Sequence, residues 1–225
     1  MEGRSRDSKL IAHMSALAPT LQIPHPSSRF LAVLFGIFAT VFVWSAIRPH
    51  DYFTWFLETV PAMIGLVVLA VTYSRFPLTT LLYTLICVHA IVLCVGGHYT
   101  YAEVPLFNWV RDAVHGVRND YDKLGHFVQG FVPAILAREV LLRRTPLKRG
   151  GWLFFIVTSI CLGFSAFYEL FEWRVAVWQG PASDDFLGTQ GDPWDTQSDM
   201  AMALVGAIIS QVLLSRVHDK QLGAP

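Results

Sequence analysis

The fold class this chain predicts is an all-α, multi-pass membrane bundle, and three observations predict it. Of 225 residues, 53% are hydrophobic and only 15% charged. Mean hydropathy is +0.44. The apolar residues also fall in long runs, each closed by Arg, Pro, Gly or His rather than scattered. A soluble domain of this length needs far more charge on its surface. A bilayer core of about 30 Å takes roughly 17–25 apolar residues per helix, which is the length of these runs. Basic and acidic residues balance at 17 each, so no basic patch points to nucleic acid. Cys87, Cys94 and Cys161 all sit inside apolar runs with no CxxC spacing, and read as small buried residues rather than a disulfide framework.

Six spans follow in order. The first is Phe30–Ile47, stopped by Arg48-Pro49-His50-Asp51. A leader of 29 residues with no small-x-small site after the apolar run makes it a retained anchor rather than a cleaved signal. The second, about Phe56–Tyr73, ends at Arg75-Phe76-Pro77, and the third, Leu78–Gly96, at Gly96-Gly97-His98. The fourth, Leu124–Leu142, is the most polar and ends at Arg143-Arg144. The fifth is Trp152–Trp173 and the sixth about Asp199–Leu214, closing at Arg216. The implied organisation is a polar tail over 1–29, a transmembrane domain over 30–215 and a short tail over 216–225. Between the third and fourth spans, Pro105–Val114 places Leu106, Phe107, Val110 and Val114 on one side. That pattern suits either an interfacial helix with Trp109 at headgroup level or a lid over the outer face.

Basic residues set the direction. Six spans leave both termini on one side, with Arg4, Arg6, Lys9, Arg29, Arg75, Arg138, Arg143, Arg144, Lys148, Arg149, Arg216 and Lys220. The other side holds only Arg48, Arg111, Arg118, Lys123 and Arg174, so both termini are expected in the cytoplasm. The acids run the opposite way. Asp51, Glu58, Glu103, Asp112, Asp120, Asp122, Glu169, Glu172, Asp184, Asp185, Asp192, Asp195 and Asp199 fall on the outer side, 13 of 17. Topology does not require that bias, and a site is one explanation.

Three segments carry the chemistry. In Tyr121-Asp122-Lys123-Leu124-Gly125-His126, Asp122 and His126 are four apart and share a helix face, with Gly130 one turn deeper. A carboxylate beside an imidazole suits a general base or a metal ligand. Read alone, Asp122 is equally a helix cap and His126 a hydrogen-bonded core histidine. In Tyr168-Glu169-Leu170-Phe171-Glu172-Trp173, the two glutamates are three apart near the outer end of the fifth span. Two carboxylates there need a cation, a proton or a basic partner, although Glu172 can also snorkel. In Gly191-Asp192-Pro193-Trp194-Asp195-Thr196-Gln197-Ser198-Asp199, Asp192 reads as N-cap with Pro193 at the first helical position. Asp192, Asp195 and Asp199 then lie along one face that Ala203, Gly206 and Ser210 continue with small residues.

The fourth and sixth spans start on the outer side and the fifth ends there. His126, Glu169, Glu172, Asp195 and Asp199 therefore share a depth on three helices and form a candidate set for Zn²⁺, Mn²⁺ or Mg²⁺. Asp122, Lys123, Asp192 and Trp194 are the supporting residues around them. Glu58, just before Pro61, either joins this site or snorkels. His89 in the third span suits a packing role better than ligation.

The runs YDKLGHFVQGFVPA, YELFEW and FLGTQGDPWDTQSDM resemble the YjdF family of bacterial inner-membrane proteins, over about Trp44 to Ser215. A weaker similarity reaches VanZ-like membrane proteins. Their Asp-Lys-x-x-His helix start resembles Asp122-Lys123-Leu124-Gly125-His126, and their later helix start resembles Asp195 and Asp199, with Asp199 in place of the usual Asn. The resemblance implies the fold and an inner-membrane setting rather than an activity. Chemically, the residues predict a metal-dependent hydrolase or transferase acting on a lipid or envelope precursor. His126 or Glu172 would serve as base, and Asp199 would join them in the reacting set. The alternatives are an ion-coupled transporter, or a structural or partner-binding membrane protein without catalysis. Membrane lipids are the expected partners, and the oligomeric state is left open.

Overall fold

The computed structural model describes Ile23 and residues 25–180 and 189–223. Asp184 and Asp185, and most of the expected N-terminal tail, lie outside the described residues. Among those described there are seven helices and no strand: α1 Ser28–Ser45, α2 Tyr52–Thr72, α3 Thr80–Tyr99, α4 Pro105–Ala113, α5 Tyr121–Arg144, α6 Gly151–Gln179 and α7 Asp195–Gln221. Five of them, all but α4 and α5, are long and apolar enough to cross a membrane. α5 has the length, with 24 residues, but carries Asp122, Lys123, Arg138, Glu139, Arg143 and Arg144. Its position explains its polarity. It lies inside the bundle, packed on α7 over the most extensive interface and also on α6 and α3. A central helix meets protein rather than lipid, so its polar groups find partners.

The first three spans begin with a side chain that satisfies an orphan backbone donor. Ser27 accepts from the Phe30 N–H at 3.2 Å, Asp51 from the Thr54 N–H at 2.7 Å and Thr79 from the Leu82 N–H at 3.4 Å. α4 begins with Pro105 at its first position, where a missing N–H costs nothing. Its Leu106, Trp109, Val110 and Val114 are exposed, while Phe107 turns inward and meets Tyr121 edge-on at 5.2 Å. The outward apolar face fits an interfacial helix.

α6 shows how burial is laid out. Leu153, Val157, Cys161, Ser165, Glu169 and Glu172 are buried and recur at steps of three or four, one face of a helix. Phe155, Phe164, Phe167, Leu170 and Trp173 are exposed on the faces between. The two glutamates thus continue the stripe that faces the bundle. The helix also runs six residues past the expected end at Trp173, so both lie well inside it.

α5 and α7 approach until backbones touch. A Cβ at Gly130 would collide with the Ala203 carbonyl, and one at Gly206 with the Phe127 carbonyl. The small-residue face expected on the sixth span is therefore this contact, and it sets Asp199 against His126. One expected cap is corrected. Asp192 is not the N-cap of α7: the helix starts at Asp195, with Trp194 in the cap position and no side-chain cap. Asp192 is occupied elsewhere, its Oδ1 accepting from the Trp194 N–H at 2.9 Å and its Oδ2 from Arg118 at 3.2 Å. Asp122 is likewise not a cap, because α5 is preceded by Asp120 and Asp122 lies in the first turn, buried.

Candidate metal centre

His126 sits on the buried face of α5, one turn from Asp122 and one turn from Gly130. Its Nδ1 lies 3.0 Å from Gln129 Oε1, an acceptor, so Nδ1 carries the proton and donates. Nε2 faces Asp122 Oδ1 at 3.5 Å and Asp199 Oδ2 at 3.9 Å. A ring nitrogen facing two carboxylate oxygens is matched either by a proton on Nε2 or by a metal ion between them. One ligand atom from each of Asp122, His126 and Asp199 lies within 4.8 Å of the others, and all three residues are buried. Tetrahedral ligands at ~2.1 Å from an ion stand ~3.4 Å apart, close to the two separations from Nε2.

Among the described residues, two buried oxygens at this point accept no hydrogen bond: Asp122 Oδ2 and Glu169 Oε1. Glu169 Oε1 is 3.7 Å from His126 Nδ1. Glu172 is buried on the same stripe and interacts with His126, Glu169, Asp122 and Glu58. Glu58 is 5% exposed, so it joins the cluster rather than snorkelling. It interacts with Tyr101, Tyr168, Asp122 and His126.

Asp195 is placed differently. Its Oδ1 accepts from Arg118 Nη1 at 2.7 Å and from Lys123 Nζ at 2.9 Å. Lys123 also donates to Asp199 Oδ1 at 2.8 Å and to Ser198 Oγ. Thus Asp199 is shared, one oxygen held by lysine and the other turned to His126. Trp194 keeps its indole exposed. Arg118 reaches Asp192 and Asp195 with Nη1 and faces Asp120 at 3.3 Å and Asp122 at 3.7 Å. Burial opposes its charge, yet the Asp195 hydrogen bond and the fields of Asp195, Asp122 and Asp120 outweigh it and hold the guanidinium above its usual range. Asn119 fixes the neighbouring backbone, exchanging two bonds with Gln190 at 2.8 and 2.9 Å.

Six buried carboxylates (Glu58, Asp122, Glu169, Glu172, Asp195 and Asp199) meet two basic side chains, Arg118 and Lys123, and one imidazole. The cluster is short of positive charge. Sequence reasoning missed Tyr101, Tyr168 and Arg118 as members. Tyr101 follows Thr100 in the left-handed region, both at φ 55°, and its ring fills the space left by Gly96 and Gly125. Burial, and then the Glu58 carboxylate, push its phenol well above the ordinary range, so it stays a protonated donor.

A second polar cluster, at the opposite end of α5, also went unread. Glu139 is fully buried and accepts from Thr79 Oγ1 at 2.8 Å, Arg143 at 2.7 Å and His218 Nε2 at 3.0 Å. Arg138 donates to His218 Nδ1 at 2.9 Å, so His218 is the neutral tautomer protonated at Nε2. With every group matched, this cluster ties the start of α3 to the ends of α5 and α7.

Residues 30–220 match the family described as a predicted membrane protein (DUF2238). The inner membrane protein YjdF of Escherichia coli (strain K12) is 50% identical over 182 residues, covering 81% of this chain and 87% of its own length. No solved structure matches the chain. With 191 matched residues carrying both polar clusters and all seven described helices but for the outermost residues of α1 and α7, the chain belongs to the DUF2238 family of membrane proteins.

Proposed function

We propose that this multi-pass inner-membrane protein holds a divalent cation at its non-cytoplasmic face and uses it to hydrolyse or transfer a group on a lipid or envelope precursor. The observation that carries the reading is His126 Nε2 facing Asp122 and Asp199, with Asp122 Oδ2 and Glu169 Oε1 beside it accepting no hydrogen bond among the described residues. Asp122, His126 and Asp199 serve as ligands, and a borderline ion such as Zn²⁺ or Mn²⁺ suits one imidazole with carboxylates better than Mg²⁺. Held by these residues, an ion would supply Lewis-acid chemistry, polarising an ester or phosphoryl oxygen or a water, at a depth an outer-leaflet lipid reaches. Glu172 and Glu169 stand next to it as candidate bases. Lys123 and Arg118 hold Asp195, and Lys123 orients Asp199. Tight packing at Gly130 and Gly206 separates this cluster from the one around Glu139, which favours a one-sided site over a transport path.

The test is elemental analysis of the protein purified in mild detergent, stripped with chelator and reloaded with Zn²⁺, Mn²⁺ or Mg²⁺ in turn. The wild type is expected to retain about one ion per chain. Asp122→Asn, His126→Ala and Asp199→Asn are expected to retain less than a tenth of that while melting within a few degrees of the wild type. Failure of all three metals to bind the wild type sinks the proposal.

A further inference from the structure

α2, α3 and α5 enclose a groove of about 580 Å³ at the end of the bundle away from the candidate metal centre. On α2 it runs from Thr72 up to Pro61, and on α5 from Arg144 up to Val132. At 1.5 Å per residue these are lengths of ~16 and ~18 Å, close to one leaflet of a ~30 Å hydrocarbon core. Its walls are apolar, Leu69, Leu93 and Leu136 among them, with His89 about one turn short of Leu93. Among the described residues, the only charged one lining it is Arg144, at its mouth.

Arg144 differs from its neighbour. Arg143 is held by Glu139 and the Pro77 carbonyl, and its guanidinium lies 3.6 Å above the Phe76 ring. Arg144 is exposed and touches the same ring at 4.8 Å, with no carboxylate partner among the described residues. An unneutralised guanidinium at headgroup depth, above a slot one leaflet deep, is complementary to an anion joined to an acyl chain. A second groove between α1, α2 and α3, of about 260 Å³, is lined by apolar residues and Tyr73, Tyr83 and Cys87, with no charged group. It offers a headgroup nothing.

We propose that the α2–α3–α5 groove is a binding site for a phospholipid with an anionic headgroup, its acyl chain in the slot and its phosphate on Arg144. The site is separate from the candidate metal centre and does not depend on it. Gly65 makes the slot testable, because it lines the groove and a Cβ added there meets nothing within 4 Å. A larger side chain at that position grows into the slot rather than into the protein.

The experiment is native mass spectrometry of the full chain, reconstituted with equal amounts of phosphatidylglycerol and phosphatidylcholine and then released in mild detergent. The wild type is expected to keep one phosphatidylglycerol at least fivefold more often than phosphatidylcholine. Arg144→Gln is expected to bring that ratio to about one. Gly65→Phe is expected to cut retention of both lipids at least fivefold at an unchanged melting temperature. Should Gly65→Phe fold poorly, Gly65→Leu tests the same slot. The proposal is overturned if the wild type keeps no lipid or shows no headgroup preference, if Arg144→Gln keeps the preference, or if the filled slot still carries lipid. A lipid-free dimer, with a second copy seated in the groove, also overturns it.

Discussion

Lys123 is the residue on which the outer cluster's charge balance turns. It places one ammonium between Asp195 and Asp199, and its side chain is only 15% exposed against 9% and 2% for the two acids. Removing one partner of a buried pair leaves the other charge uncompensated, at a cost of roughly 3–5 kcal/mol. Lys123→Met is therefore expected to lower the melting temperature by about 10 °C, since each kcal/mol moves a chain of this size by about 2–4 °C. Adding Asp199→Asn to Lys123→Met is expected to restore part of that loss, because the two residues share one interaction. Thermal melts of the wild type, both single variants and the double variant measure this. Strictly additive losses would show that Lys123 acts elsewhere. The sequence made Lys123 visible only as a supporting residue, and Arg118 only as a positive charge on the outer side. Nothing in their spacing says that both reach across to the start of α7, more than 70 positions away. His126 and Asp122 were legible because four residues on a helix is a local relation.

At the scale of the element, the decisive contact is the backbone approach of α5 and α7. Gly130 and Gly206 permit it; on α5 His126 and Asp122 sit one and two turns from Gly130, and on α7 Asp199 sits two turns from Gly206. Gly130→Val is expected to push the helices apart, costing about 1–3 kcal/mol as an overpacked core does. It should also widen the gap between His126 and Asp199, so retained metal should fall together with the melting temperature. Gly163→Ala is the matched control. That glycine lies on the exposed face of α6, with open space around its Cβ position, and alanine there should leave stability unchanged or raise it by up to ~1 kcal/mol. Equal effects of the two substitutions would sink the argument. The small-residue face of α7 was readable because Ala203, Gly206 and Ser210 keep helical spacing. The start of that helix was misread, since Asp192-Pro193 has the form of a cap and only the fold reveals that Arg118 and the Trp194 N–H claim the carboxylate. Glu139 and His218 escaped for a related reason. Each is one polar residue near the end of a helix, and their pairing joins positions 79 apart in sequence.

For the whole molecule, the two polar clusters fix which helix ends share a face. Thr79, Glu139 and His218 touch, so the start of α3 and the ends of α5 and α7 lie together. Lys123 binds Asp199, so the starts of α5 and α7 lie together at the other end. The His50 N–H donates to the His98 carbonyl at 2.9 Å, which joins the approach to α2 to the end of α3. α5 therefore runs between the same two faces as its neighbours, although its hydropathy alone does not mark it as a span. We propose the direction from charge. Arg138, Arg143, Arg144 and Arg149 gather at the face holding the Glu139 cluster, and the basic residues of short loops stay in the cytoplasm. Reporter fusions test this helix by helix. A periplasm-dependent phosphatase joined after Gly116 is expected to be active, and one joined after Lys148 or at Gly223 inactive. Activity at both Gly116 and Lys148 would mean that α5 does not cross, and would leave the metal centre and the lipid groove without their assigned leaflets. Activity at Lys148 and Gly223 but not at Gly116 would invert the molecule, exposing the acidic cluster to the cytoplasm. The proposed ion would then be drawn from a different pool, and the envelope-precursor reading would fall while the ion site itself could stand.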